Sequence, residues 1–120
     1  MELSESSEQK AVIRWWSVVC GDWSQPEFAL MGCPAQASRS PAGWGRIKAE
    51  GYRTGTPDLF LAVATPKSHG LFIEMKRAHG GTLSESQKEM IFTLGKQGYS
   101  VAVACGAEDA KKVIQEYLKT

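Results

Sequence analysis

One segment, residues 55–76 (GTPDLFLAVATPKSHGLFIEMK), constrains the fold more than any other. An apolar run at 59–64 meets Thr65-Pro66-Lys67-Ser68-His69-Gly70, and a second apolar run follows at 71–75. Two short β-like runs joined by turn formers predict a hairpin. Side chains alternate along a strand. Leu59, Leu61 and Val63 therefore share one face with Leu71, Ile73 and Met75, and all six are apolar. The opposite face collects Asp58, Phe60, Phe72, Glu74 and Lys76. The hairpin thus separates a core face from a charged one. Pairing Ala64 with Gly70 sets Asp58 across from Lys76 and diagonal to Glu74. Diagonal neighbours lie roughly 7–8 Å apart, close enough for two carboxylates to hold one ion.

The 120 residues are expected to form a single domain over 1–120, large enough for one core. A hydrophobic share of 42% with 22% charged residues is that of a soluble protein, and no apolar stretch has membrane-spanning length. The opening MELSESSE is acidic and lacks the layout of a signal peptide. Cys20, Cys33 and Cys105 are an odd count without CxxC spacing. That argues against a disulfide framework or a zinc ribbon, and for a reducing, cytoplasmic setting.

The net charge of +1 announces no nucleic-acid binder, but its distribution is uneven. Residues 31–57 carry Arg39, Arg46, Lys48 and Arg53 against the single acid Glu50, directly ahead of Asp58. A basic patch beside an acidic site suits a phosphodiester-binding enzyme. A solvated polar loop explains the charge equally well.

In chain order, the pattern predicts a helix over 5–20 with Ala11, Val12, Trp15 and Val19 as its apolar stripe. Glu8 falls on that stripe, either as a first-turn acid favoured by the helix dipole or as a contributor to the charged site. Residues 28–31 are a strand candidate, 32–45 a long surface loop, and 46–50 a helical turn closed by Gly51. Ser84-Glu85-Ser86-Gln87 has the form of a capping box and opens a helix to about Lys96. Residues 99–105 read as a strand parallel to the second hairpin strand, and 108–118 as a last helix. His69 and His79 are expected in exposed turns. The order α-β-β-β-α-β-α, with a short helical turn before the hairpin, predicts an α/β fold: a mixed sheet flanked by helices.

Hard oxygen ligands select Mg²⁺ or Mn²⁺ over zinc. Asp58 and Glu74 supply carboxylates, and the backbone carbonyl of Met75 is a further oxygen. Lys76, on the same strand face as Glu74, is placed to orient a water or offset charge growing on a phosphate. An exposed salt-bridge ladder is the plainer reading of such a pair. It is weakened by the flanking apolar strands, the Gly-Thr-Pro lead-in and the following Arg77.

Gly55-Thr56-Pro57-Asp58 followed by Glu74-Met75-Lys76 resembles the PD-(D/E)xK nuclease pattern. With the GLFIEMK strand, Leu83-Ser84-Glu85-Ser86-Gln87, Gly98-Tyr99 and the closing Glu116-Tyr117-Leu118, nearly the whole chain resembles the virus-type replication-repair nuclease (VRR-NUC) domains. The resemblance implies a restriction-endonuclease-like fold similar to Holliday-junction resolvases. It implies an Mg²⁺- or Mn²⁺-dependent deoxyribonuclease, with Asp58, Glu74 and the Met75 carbonyl on the metal and Lys76 catalytic. It also draws Glu8 to the metal and Gln87 to the active site. Arg39, Arg46, Lys48, Arg53 and Arg77 are the expected DNA contacts. A branched DNA substrate, a homodimer with Trp15, Trp16 or Trp23 at its surface, and a phage-type role inside a bacterial host are the further expectations. A nuclease on linear or single-stranded DNA, a DNA-binding module without strong catalysis, and a protein-interaction domain are the alternatives.

Overall fold

The computed structural model describes residues 3–33, 41–79 and 81–120, with Pro41, Ala42 and Trp44 described by their backbone alone. Helix α1 (Glu5–Val19) starts where the Ser4 hydroxyl accepts the Ser7 N–H at 3.1 Å. Such an N-cap satisfies one of the four orphan donors of the first turn. The buried residues of α1 are Glu8, Val12 and Trp16, spaced i, i+4, i+8. The predicted stripe is therefore rotated by one position: Trp16 is the interior ring, and Ala11, Trp15 and Val19 pack on its flank. Trp16 can be interior because its indole N–H reaches the Glu27 carbonyl at 3.0 Å. At 1% exposure it is not available to a dimer surface, and Trp15 and Trp23 are themselves half-buried.

Two 3₁₀ turns, Cys20–Trp23 and Glu27–Ala29, lead into strand β1 (Leu30–Gly32). The strand predicted at 28–31 thus begins two residues later, and Phe28 is exposed. Helix α2 (Pro41–Ala49) replaces the end of the loop predicted over 32–45, and the turn predicted at 46–50 is its last turn. Proline suits the first helical position, where no N–H is needed. Gly51, at φ 104°, follows its end. Arg39 and the 34–40 part of the predicted loop lie outside the described residues.

The sheet runs β1-β2-β3-β4, with β2 Leu59–Leu61, β3 Leu71–Lys76 and β4 Ser100–Cys105. Strands β2–β3 pair antiparallel and β3–β4 parallel, as the sequence predicts, and β1 pairs antiparallel with β2. The hairpin register is Leu59↔Ile73, Phe60↔Phe72 and Leu61↔Leu71. That is two residues away from the predicted pairing of Ala64 with Gly70. The reason lies in the connection: Thr65 and Ser68 bridge each other, and Ala62 N–H bonds to the Ala29 carbonyl, on the β1 side. A two-residue shift keeps every side chain on its face. The core prediction therefore stands, while the cross-strand neighbours change: continuing the register sets Asp58 level with Glu74, not Lys76.

Helix α3 (Glu85–Lys96) carries the chain between the parallel strands. The predicted capping box is present in both directions: Gln87 N–H to the Ser84 hydroxyl at 3.2 Å, and Ser84 N–H to the Gln87 carboxamide at 2.9 Å. Helix α4 (Ala107–Leu118) closes the fold. Val12 and Trp16 of α1 and Ala110, Ile114 and Tyr117 of α4 pack with Leu59, Leu61, Leu71, Ile73 and Met75 in one core. Each large side chain buried there contributes roughly 1.5–3 kcal/mol, which is why this face of the hairpin is wholly apolar.

Candidate active site

The central strands bring the sequence-predicted residues of the charged face together. The Asp58 carboxylate oxygen Oδ2 accepts the Met75 N–H at 2.8 Å, so the end of β2 is fastened to β3 through a side chain instead of a ladder bond. The N–H and C=O of one strand residue leave the same edge. The Met75 carbonyl therefore leaves β3 on the Asp58 side, while the Lys76 carbonyl leaves on the other and accepts the Gly106 N–H at 2.9 Å. The Met75 side chain is in the core.

Glu74 is 1% exposed, and its Oε1 has no hydrogen-bond donor among the described residues. A buried carboxylate oxygen without a donor is costly unless it is protonated or meets a cation. Burial first, then the hydrogen bond and charge of Asp58, push the Glu74 carboxyl up to about 8, against the opposing pull of Lys76. Such a pair fits a divalent ion: two carboxylates and a carbonyl close together, with one oxygen, Glu74 Oε1, lacking a hydrogen-bond partner among the described residues. The donor set is all oxygen, which suits Mg²⁺ or Mn²⁺.

Lys76 is 9% exposed. Its ammonium lies 4.0 Å from Glu74 Oε2 and donates to Gln87 Oε1 at 3.4 Å, both loose contacts. The same Gln87 oxygen accepts Ser84 N–H, so capping and the contact with the lysine coexist, as the sequence allowed. Gly81 (φ 92°) lies over the lysine stem, where a Cβ would sit 3.3 Å from Cδ. Gly55 (φ 88°) packs on the first turn of α3, and a Cβ there would overlap the Ser86 carbonyl. The glycine of the Gly-Thr-Pro lead-in is thus what lets the Asp58 segment touch the helix that carries Gln87.

Glu8 meets the start of α4. It is buried, and its Oε2 accepts the Ala107 N–H at 3.2 Å. Gly106 (φ 89°) caps α4 without a side chain, so Glu8 supplies the carboxylate that a first turn favours. Among the described residues, no three acidic, histidine or cysteine side chains gather as a metal cluster. The α1 acid whose charge reaches Glu74 is Glu5. Glu5 and Gln9, one turn apart, line a cavity with Asp58. Glu5 is exposed at the rim of that cavity, whereas Gln9 is half-buried. Glu8→Ala is expected to destabilise the fold by about 1 kcal/mol through the lost cap, and urea denaturation measures it.

Cys33 follows β1, and its N–H donates to the Asp58 carbonyl at 2.9 Å. Burial, then the nearby Asp58 charge, push its thiol up. Of the basic residues, Arg77 and Lys48 are exposed, Arg46 pairs with Glu50 at 3.6 Å on the open surface of α2, and Arg53 lies against the end of α2. His69 is exposed but packs edge-on to Tyr99, and His79 is exposed.

A carboxylate pair and a lysine on the inner strands of a mixed, helix-flanked sheet are the arrangement expected of a nuclease of the PD-(D/E)xK type. The chain belongs to the VRR-NUC domain family: that domain matches residues 3–108. A solved structure described as a VRR_NUC domain protein is similar over 99% of this chain and 91% of its own, at 30% identity and a TM-score of 0.79. No curated protein matches the chain. The fold is accordingly restriction-endonuclease-like. PD-(D/E)xK nucleases typically use divalent metals. Among the described residues, no helix is long and apolar enough to cross a membrane.

Proposed function

We propose that the chain is an Mg²⁺- or Mn²⁺-dependent endonuclease that hydrolyses DNA phosphodiesters and prefers branched DNA. What carries this is the buried Glu74 oxygen without a donor, facing Asp58 and flanked by Lys76. Asp58, Glu74 and the Met75 carbonyl would hold the ion. When bound, it supplies Lewis-acid polarisation of the phosphate and a lower pKa for the attacking water. The Met75 N–H fixes the Asp58 carboxylate, removing one of its degrees of freedom before substrate arrives. The Lys76 ammonium, held loosely between Glu74 and Gln87, is placed to turn toward a phosphate oxygen or the water and offset the developing charge. Gln87 positions the lysine. Glu8 acts at a distance, by fixing α4 against α1. Arg46, Lys48, Arg53 and Arg77, with Arg39, are the proposed phosphate contacts.

Branched DNA and a two-fold dimer are what the resolvase-like resemblance suggests, since two sites related by symmetry meet two strands of one junction. The test is incubation with a labelled four-way junction, flap, linear duplex and single strand, with Mg²⁺, Mn²⁺ or EDTA. Metal-dependent cleavage of junction or flap ahead of duplex is expected. Equal cleavage of linear duplex removes the structural preference, and no cleavage of any substrate with either metal overturns the enzyme.

A further inference from the structure

The face that carries Glu74 and Lys76 continues into aromatic rings. Phe72 stands two residues before Glu74 on β3, and Phe60 two residues after Asp58, about 6.6 Å along each strand. The two rings stack with centroids 4.3 Å apart and planes 23° from parallel. Tyr99 meets both edge-on, at 6.1 Å and 5.4 Å, and so braces them. Phe60 and Phe72 line a cavity of about 330 Å³. Tyr52 and Arg53, in the turn after α2, form one wall; Met31 and Cys33, at the end of β1, form another. Tyr52 is 38% exposed, so the cavity is open to solvent on that side. The Cys33 N–H that donates to the Asp58 carbonyl joins the rim directly to the acid pair.

We propose that this cavity takes one unstacked nucleobase of the DNA strand being cut, next to the scissile phosphate. The proposal rests on the nuclease reading for where the phosphate lies. Three observations favour a base over another occupant. The lining is aromatic and apolar, as base-stacking platforms are. The volume falls in the range of small-molecule sites and admits a planar ring system. The cavity adjoins the carboxylates: Phe60 and Phe72 of its lining each stand two residues from an acid on the same strand face. Arg53 sits at the mouth, with Nη1 on the Lys48 and Tyr52 carbonyls at 3.5 Å and 3.4 Å. Its other N–H groups have the fork geometry that suits a backbone phosphate.

A consequence is selectivity without base-specific hydrogen bonds. In a duplex the base must be unstacked at a cost of a few kcal/mol, whereas at a flap, gap or junction point that cost is reduced or absent. The cavity therefore ranks substrates by how readily they present a free base, whatever its identity.

The experiment places 2-aminopurine at successive positions of a flap oligonucleotide and measures its fluorescence on adding the protein in EDTA, where binding is read without cleavage. One position is expected to be strongly quenched, and an abasic nucleotide there to weaken binding about tenfold. Tyr52→Ala, at an exposed wall residue, and Phe72→Leu, which keeps the apolar volume without the π-face, are each expected to relieve the quenching. Neither should weaken binding further on the abasic strand. Uniform fluorescence at every position, or an equal loss in both variants on the intact and abasic strands, overturns the pocket. Absence of DNA binding does so too. Quenching that the variants relieve, in a protein that cleaves nothing with Mg²⁺ or Mn²⁺, leaves the pocket standing and removes the nuclease reading instead.

Discussion

Lys76→Met should lower the cleavage rate about a thousandfold, the scale set by removing one preorganised charge-stabilising donor, and leave DNA affinity in EDTA nearly unchanged. Methionine keeps the stem that Gly81 packs against, so the fold should survive, with an unaltered far-ultraviolet circular dichroism spectrum. The variant carries a second signature. The lysine charge is the one influence holding the Glu74 carboxyl down against burial and Asp58. Without it Glu74 keeps its proton to higher pH, and a metal must compete harder with that proton. The residual activity should therefore shift to more alkaline pH and higher metal concentration. Retained activity with an unchanged pH profile removes Lys76 from the site. Asp58→Asn should be as severe in rate without the alkaline shift, because the Asp58 charge raises Glu74.

The second large effect is on stability. In metal-free protein Glu74 titrates near 8, against an ordinary 4.5. Between those values the folded chain keeps a proton that the unfolded chain has released. Stability is then greatest below about pH 4.5 as far as this group is concerned, and falls as pH rises toward 8. At 1.36 kcal/mol per pKa unit the loss reaches a few kcal/mol. Urea denaturation in EDTA at about pH 5 and pH 8 should show it, and Glu74→Gln should flatten the slope. Excess Mg²⁺ should restore stability at the higher pH by binding the ionised pair. A wild-type protein as stable in EDTA at pH 8 as at pH 5, after comparison with the glutamine variant, would show that Glu74 is already ionised and relaxed.

Much of this arrangement is legible in the sequence because alternation along a strand is a strict rule. Leu59, Leu61, Ile73 and Met75 had to share a face, and Asp58, Glu74 and Lys76 had to leave it. The capping box at Ser84 and Gln87 is similarly local, and both of its bonds are present. What alternation does not give is register, since a two-residue shift leaves every face unchanged. It therefore could not distinguish Lys76 from Glu74 as the neighbour of Asp58. Helical periodicity was equally blind to a one-position rotation of α1. Trp15 and Trp16 are both large and apolar, and only the Glu27 carbonyl, eleven residues on, chooses between them. Glu8 illustrates the deepest limit. Its burial follows from the stripe, but its partner is a backbone N–H at the far end of the chain, next to a glycine whose backbone leaves no room for a side chain. The aromatic cavity beside the acids was hidden for a related reason: Tyr52 and Phe72 are brought together by a turn whose shape no local pattern encodes.

The Glu8–Ala107 bond closes a loop of 99 residues. Closing so long a loop costs chain entropy that local contacts do not repay. Helix α1 is also seated locally, by the Trp16 bond to the Glu27 carbonyl and by Val12 and Trp16 in the core. The Glu8 bond therefore links the wall of the acid groove to the far end of the chain, so that loosening the start of α4 is felt at a helix that borders Asp58.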